Sequence, residues 1–152
     1  MEKIDDFDRK ILRELQRDAS RPVEDLGDAI GLSRNATWRR MRRLEEDGVL
    51  TKRVGVVDPD ALDLGLAVFI SVRTDRHDKA WAAEFKKVVT RFPEILGAYR
   101  TSGDLDYLIH ARVADVAAYD RLYQKLISAV ELKDVSASFV MEELKETNEL
   151  PV

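Results

Sequence analysis

An α+β fold in two parts is predicted by three observations. Near the N-terminus, three stretches carry apolar residues at helical spacing with only short breaks between them. From residue 66 onward, β-branched and aromatic runs alternate with helical ones in the order βαββαβ. Between the two regions, Asp58-Pro59-Asp60 and Gly65 punctuate the chain. The reading is a winged helix-turn-helix with its linker strand over residues 1–57, then a ferredoxin-like domain over 58–152, an antiparallel sheet with helices on one face.

The first helix starts on Asp5 or Asp6 as cap, and Ile4, Phe7, Ile11, Leu12 and Leu15 make its apolar side. Ala19-Ser20-Arg21 breaks it, and Pro22 suits the opening turn of a second helix with Val23, Leu26 and Ile30 inward. Gly31 ends that helix, and Ser33 caps a third by accepting an early backbone N–H. Thr37, Met41 and Leu44 form its narrow inward stripe, and Asp47-Gly48 closes it. Arg34, Asn35, Trp38, Arg39 and Arg42 fall on the opposite side. Arg40 and Arg43 lie nearer the stripe, where acids such as Asp28 or Glu46 can pair with them. Residues 49–57 are β-like and carry Lys52 and Arg53, as a wing against a phosphate backbone or as a linker strand.

Two short helices joined by a tight Gly-containing turn, the second one basic, suit a DNA major groove. Arginine bridges guanine O6 and N7 or grips phosphate, and asparagine bridges adenine N6 and N7. The net charge of −4 is unevenly spread. Residues 1–57 hold 13 Lys/Arg against 12 Asp/Glu, and within 33–53 seven bases face three acids. Residues 58–152 hold 12 against 17, so the positive potential is focused on one surface. The same helix would also serve a solvated face, or a small-molecule-sensing or oligomeric scaffold module that binds no DNA.

In the second part, 66–74 reads as a strand and 79–92 as a helix with Trp81, Phe85, Val88 and Val89 inward, stopped by Pro93. Residues 95–102 and 107–113 are strands separated by Gly103-Asp104-Leu105-Asp106, a hairpin signal. A helix over 115–129 and a strand over 135–142 complete the set, followed by a polar tail. Such a sheet leaves one face bare. Phe69, Ser71, Tyr99, Thr101, Phe139 and Met141 are placed along it in various registers, so pairing with a second copy in a two-fold dimer is the cheapest way to cover it.

There are no cysteines, which removes disulfides, thiol nucleophiles and thiolate metal sites. His77 and His110 have no metal-ligand spacing, and no Gly-rich phosphate loop or HExxH occurs. The expectation is therefore a non-enzyme without metal or cofactor. No apolar run approaches the roughly 20 residues of a membrane span, and the polar N-terminus is no secretory signal, giving a cytoplasmic address without membrane contact.

The segments DRKILRELQRD, LGDAIGLS and WRRMRRLEEDGVL, followed by βαββαβ with TSGDLDYL in the hairpin, resemble the Lrp/AsnC family of feast/famine transcription regulators over residues 4–150. VVTRFPEILGAYR, YDRLYQKL and SFVMEELKETNELP are most similar to the proteobacterial members that respond to cysteine. The resemblance implies double-stranded DNA as partner, bound by Ser33, Arg34, Asn35, Trp38, Arg39 and Arg42, with Lys52 and Arg53 beside them. Many relatives carry proline near the positions of Arg34 and Ala36, so what carries over is the docking mode rather than base-by-base specificity. It also implies a homodimer that assembles to tetramers or octamers, with an amino-acid effector between dimers. The effector residues would be Thr101, Ser102, Gly103, Asp104, Leu105, Asp106 and Tyr107, joined by Ser136 and Ser138. Exposed N–H groups around Gly103 can hold a carboxylate, while Asp104 or Asp106 can hold an ammonium. On spacing alone, Gly103-Asp104 equally turns a plain hairpin that Asp106 closes.

Overall fold

The computed structural model describes residues 3–152, which divide into two compact units. The first runs to Val56 and takes in Lys145–Val152; the second is Val57–Leu144.

In the first unit, α1 spans Asp6–Arg17, α2 Val23–Ile30 and α3 Arg34–Glu46. A capping box opens α1: Asp5 accepts the Asp8 N–H at 2.9 Å, and the Asp8 carboxylate accepts the Asp5 N–H at 3.0 Å. Gly31, left-handed at φ 77°, lets the chain turn sharply out of α2. Ser33 then caps α3 through the Ala36 N–H. Ile11, Leu15, Leu26, Ile30, Met41 and Leu44 close the core between the three helices.

One expectation is corrected here. Residues 51–58 form no regular element, so the wing or linker strand is not built within the described chain. Just before them, the Val49 and Leu50 N–H groups cap the end of α3 on the Leu44 carbonyl, and both side chains pack on the helical core. The tail 145–152, expected with the second domain, groups with the first unit because it is bonded to α1. Gln16 accepts the Leu150 N–H at 2.6 Å and donates to the Leu150 carbonyl at 3.2 Å. Arg13 donates to the Val152 carbonyl at 2.5 Å, and Arg17 lies 3.7 Å from Glu149.

The second unit has the expected βαββαβ order: β1 Leu66–Arg73, α4 Lys79–Arg91, β2 Ile95–Arg100, β3 Tyr107–Val113, α5 Val116–Ala129 and β4 Asp134–Phe139. The strands are antiparallel in the order β2-β3-β1-β4, and Ile70 sits between Ile109 and Ala137. Val68, Ile70, Val72, Ile109, Ala111 and Val113 pack with Trp81, Phe85, Leu122 and Leu126 into one core. The opposite face carries Phe69, stacked on His110 at 4.9 Å, with Tyr99 exposed. Phe139 does not belong to that face. It pairs with Val68 and meets Tyr119 edge-on at 5.2 Å, on the helix side. Met141 lies beyond β4, which ends at Phe139 and not at residue 142. No helix among the described residues is long and apolar enough to cross a membrane.

Three exposed aspartates are held below the ordinary 3.8: Asp5 by the Asp8 N–H and then Arg40, Asp18 by the Ser20 hydroxyl and N–H, Asp78 by the Trp81 N–H. Carboxylates favoured in the folded chain stabilise it fully above their unfolded value and lose that contribution as pH falls through the lower folded one. The melting temperature will therefore drop on acidification below about pH 4. A melting temperature that rises over that range in calorimetry would contradict the capping assignment.

Candidate DNA-binding and effector-binding surfaces

The exposed side of α3 collects the residues named from the sequence. Ser33 stands at its cap, and Arg34, Asn35, Trp38, Arg39 and Arg42 are all exposed, Trp38 at 54%. Arg42 reaches Glu46 at 3.2 Å and lies 6.0 Å from the Trp38 ring, a cation–π distance. Arg53 is held at 2.6 Å by Glu45, and Lys52 is exposed in the irregular stretch.

Arg40 and Arg43 turn the other way, toward α1 and not toward Asp28 or Glu46. Arg40 donates to Asp5 at 2.7 Å and to Asp8 at 2.8 Å, and Arg43 donates to the second Asp8 oxygen. The Asp5 and Asp8 carboxylates hold the Arg40 guanidinium above its usual range despite partial burial. Asp8 was missed as a partner because at the third helical position an aspartate reads simply as a capping acid.

The β2–β3 connection is tied to its own sheet. Thr101 donates its N–H to the Asp106 carbonyl at 3.0 Å and its hydroxyl to the Leu105 carbonyl at 2.6 Å. The Asp106 N–H reaches the Val72 carbonyl, and its carboxylate accepts the Thr74 N–H at 2.9 Å. His77 Nδ1 lies 3.8 Å from the other carboxylate oxygen. Asp106 is thus partly committed to fixing the hairpin, whereas Ser102, Gly103 and Asp104 are exposed at its tip. Gly103 has φ +112°, a region closed to most side chains.

Tyr107 does not join the tip. Its ring lies 4.5 Å from Phe85 and 5.6 Å from Trp81, in the core. Ser136 and Ser138 are exposed on the open sheet face, opposite Ser71 and Phe69. They stand two strands from β3, about 10 Å at the usual strand spacing. Nothing local in the sequence places Thr74 and His77 beside Asp106, since only the sheet brings β1's end to the hairpin. Among the described residues no group of three His, Cys, Asp or Glu is placed to hold a metal.

Residues 4–45 match the AsnC-type helix-turn-helix domain and residues 67–150 the Lrp/AsnC ligand binding domain. The chain belongs to the Lrp/AsnC family. Similar proteins include the glutamate uptake regulatory protein of Zymomonas mobilis, 49% identical over 99% of this chain and 92% of that one. The DNA-binding transcriptional activator DecR of Escherichia coli is 41% identical over 98% and 99%. Among solved structures, an AsnC family regulator from Agrobacterium tumefaciens superposes with a TM-score of 0.94 at 47% identity, covering 97% of this chain and 96% of that one. A Neisseria meningitidis regulator in complex with L-Met gives 0.93 at 31%, covering 98% and 97%. As an Lrp/AsnC protein, the chain is a DNA-binding transcriptional regulator with a ligand-binding domain.

Proposed function

We propose that α3 reads the major groove with Arg34, Asn35, Trp38, Arg39 and Arg42, and that an amino-acid effector at the β2–β3 hairpin modulates this binding in the cytoplasm. The observation that carries the reading is the division of labour on α3: five groove-facing side chains are exposed while Arg40 and Arg43 are turned back to acids. Among the described residues, neither Arg34 nor Arg39 has an acidic partner within ion-pair distance, which leaves their charge to phosphate or base edges, whereas Arg42 must first leave Glu46.

At the hairpin, Gly103's neighbours offer backbone N–H groups to a carboxylate, and Asp104, exposed, is the better partner for an ammonium than the latched Asp106. Ser136 and Ser138 stand too far along the sheet to share a small ligand with that tip within one chain. A second copy would close the site. The open face with Phe69 and Tyr99 provides the surface for two-fold pairing, and dimers would assemble further around the effector. The L-Met complex of the Neisseria relative supports an amino acid as the ligand class, and the cysteine-responsive resemblance makes cysteine the first to test.

Arg39→Ala will weaken duplex binding by about 1–3 kcal/mol if Arg39 meets a base, or lower the salt slope by about 1 if it meets a phosphate. Binding that is unchanged at every salt concentration in a fluorescence anisotropy titration would remove α3 from the interface. For the effector, a thermal-shift screen of the twenty amino acids identifies the ligand. Asp104→Ala will then abolish the ligand-induced rise without lowering the ligand-free melting temperature, whereas Asp106→Ala will lower both. A normal ligand response in Asp104→Ala would place the ammonium elsewhere.

A further inference from the structure

Asp8 carries more than a capping box requires. Its side chain is wholly buried, and it gathers the Asp5 N–H, Arg40 and Arg43 on two oxygens. An unpaired carboxylate there would be costly, and both of its cationic partners come from one helix. Phe7 adds a ring 5.5 Å from the Arg40 guanidinium.

The placement along α3 makes this consequential. Only Thr37, Met41 and Leu44 of that helix are buried, a stripe too narrow to fix its rotation about its own axis firmly. Arg40 and Arg43 stand one turn apart, and each follows directly on an exposed arginine, Arg39 or Arg42. Consecutive helical residues point about 100° apart. Fastening residues 40 and 43 to one rigid acceptor on α1 therefore sets the direction of residues 39 and 42.

We propose that Asp8 is a positioning residue for DNA recognition: through Arg40 and Arg43 it sets the rotation of α3 that aims Arg39 and Arg42 into the groove. Asp8 itself touches no DNA. The proposal rests on α3 being the recognition helix, and it assigns to α1 a share of sequence discrimination that cap chemistry alone would not have.

The test uses the full chain and two duplexes: the sequence that the unsubstituted protein enriches most strongly from a random library, and a shuffled version of it. Asp8→Asn keeps the shape but leaves one neutral acceptor and sets an amide donor where the second carboxylate oxygen accepted. At a temperature where circular dichroism finds the variant fully folded, its affinity ratio for selected over shuffled duplex should fall about tenfold, the scale of one good base contact. Binding to the shuffled duplex should persist. Arg40→Lys, which keeps the charge but loses the planar guanidinium whose Nη1 serves both Asp5 and Asp8, should lower the ratio in the same direction. It carries the test if Asp8→Asn does not fold.

A ratio unchanged in the folded variants, with affinity tracking only the melted fraction, would reduce Asp8 to a stabilising residue and overturn the proposal. Arg39→Ala in parallel separates the two levels. If Arg39→Ala leaves binding intact, α3 is not the reading helix; if it weakens binding while Asp8→Asn keeps full discrimination, only the role of Asp8 fails.

Discussion

Leu26→Ala will abolish DNA binding by melting the first unit while leaving the second folded. Leu26 is wholly buried at the centre of α2, packed with residues of α1 and α3. Truncating such a leucine costs about 2–5 kcal/mol, the lost transfer energy plus the cavity left behind. The unit that bears the loss is small, three helices and a tail segment, and a small domain has little stability in reserve. Leu122→Ala, equally buried in α5, should cost a similar amount but melt the sheet unit instead. The protein carries its own reporters, because Trp38 lies on α3 and Trp81 on α4, the only two tryptophans. With either one replaced by phenylalanine, fluorescence melting follows one unit at a time. Parallel loss of both signals in Leu26→Ala would show that the two units unfold as one, and the division would have to be abandoned as a thermodynamic one.

The helices were legible because their starts are local chemistry. Asp5, Ser33, Asp78 and Asp115 each accept an N–H from three residues on, a pattern written in the sequence itself. The two-unit plan and the βαββαβ order followed from periodicity for the same reason. Long-range partners were not legible. Arg43 meets Asp8 across 35 residues and Leu150 meets Gln16 across 134, and nothing local selects those over Glu46 or solvent. Strand faces were legible only up to a one-residue slip, which carries a side chain through the sheet. Such a slip puts Phe139 on the open face in the sequence pattern, where the structure has Ser138. The hairpin shows a third limit. Its Gly and Asp residues announce a turn, but whether an aspartate is latched or left free depends on Thr74, which arrives from another strand.

Gly27 tests the helix-turn-helix geometry most directly. It is buried in α2, and a Cβ placed there would stand 2.7 Å from the Leu32 carbonyl oxygen and 2.9 Å from Thr37 Oγ1. The first of these is backbone of the turn itself, and it is held, because the Leu32 N–H is bonded to the Gly27 carbonyl at 2.9 Å. Thr37 is held as well, its hydroxyl donating to the Ser33 carbonyl at 3.0 Å. Two opposing effects meet in Gly27→Ala. Alanine gains up to about 1 kcal/mol of helix propensity over glycine, while forcing an extra carbon into a packed site costs typically about 1–3 kcal/mol. With a backbone oxygen inside contact distance the second effect wins, and the strain falls on the turn that sets α3 against α2. Gly27→Ala should therefore lower the melting temperature of the first unit and weaken duplex binding. Gly27→Val, with a larger side chain and little propensity gain, should do both more severely. A Gly27→Ala protein that is more stable than its parent and binds DNA as tightly would mean the turn can yield, and the close approach of α2 to α3 would then not be what sets α3 in place.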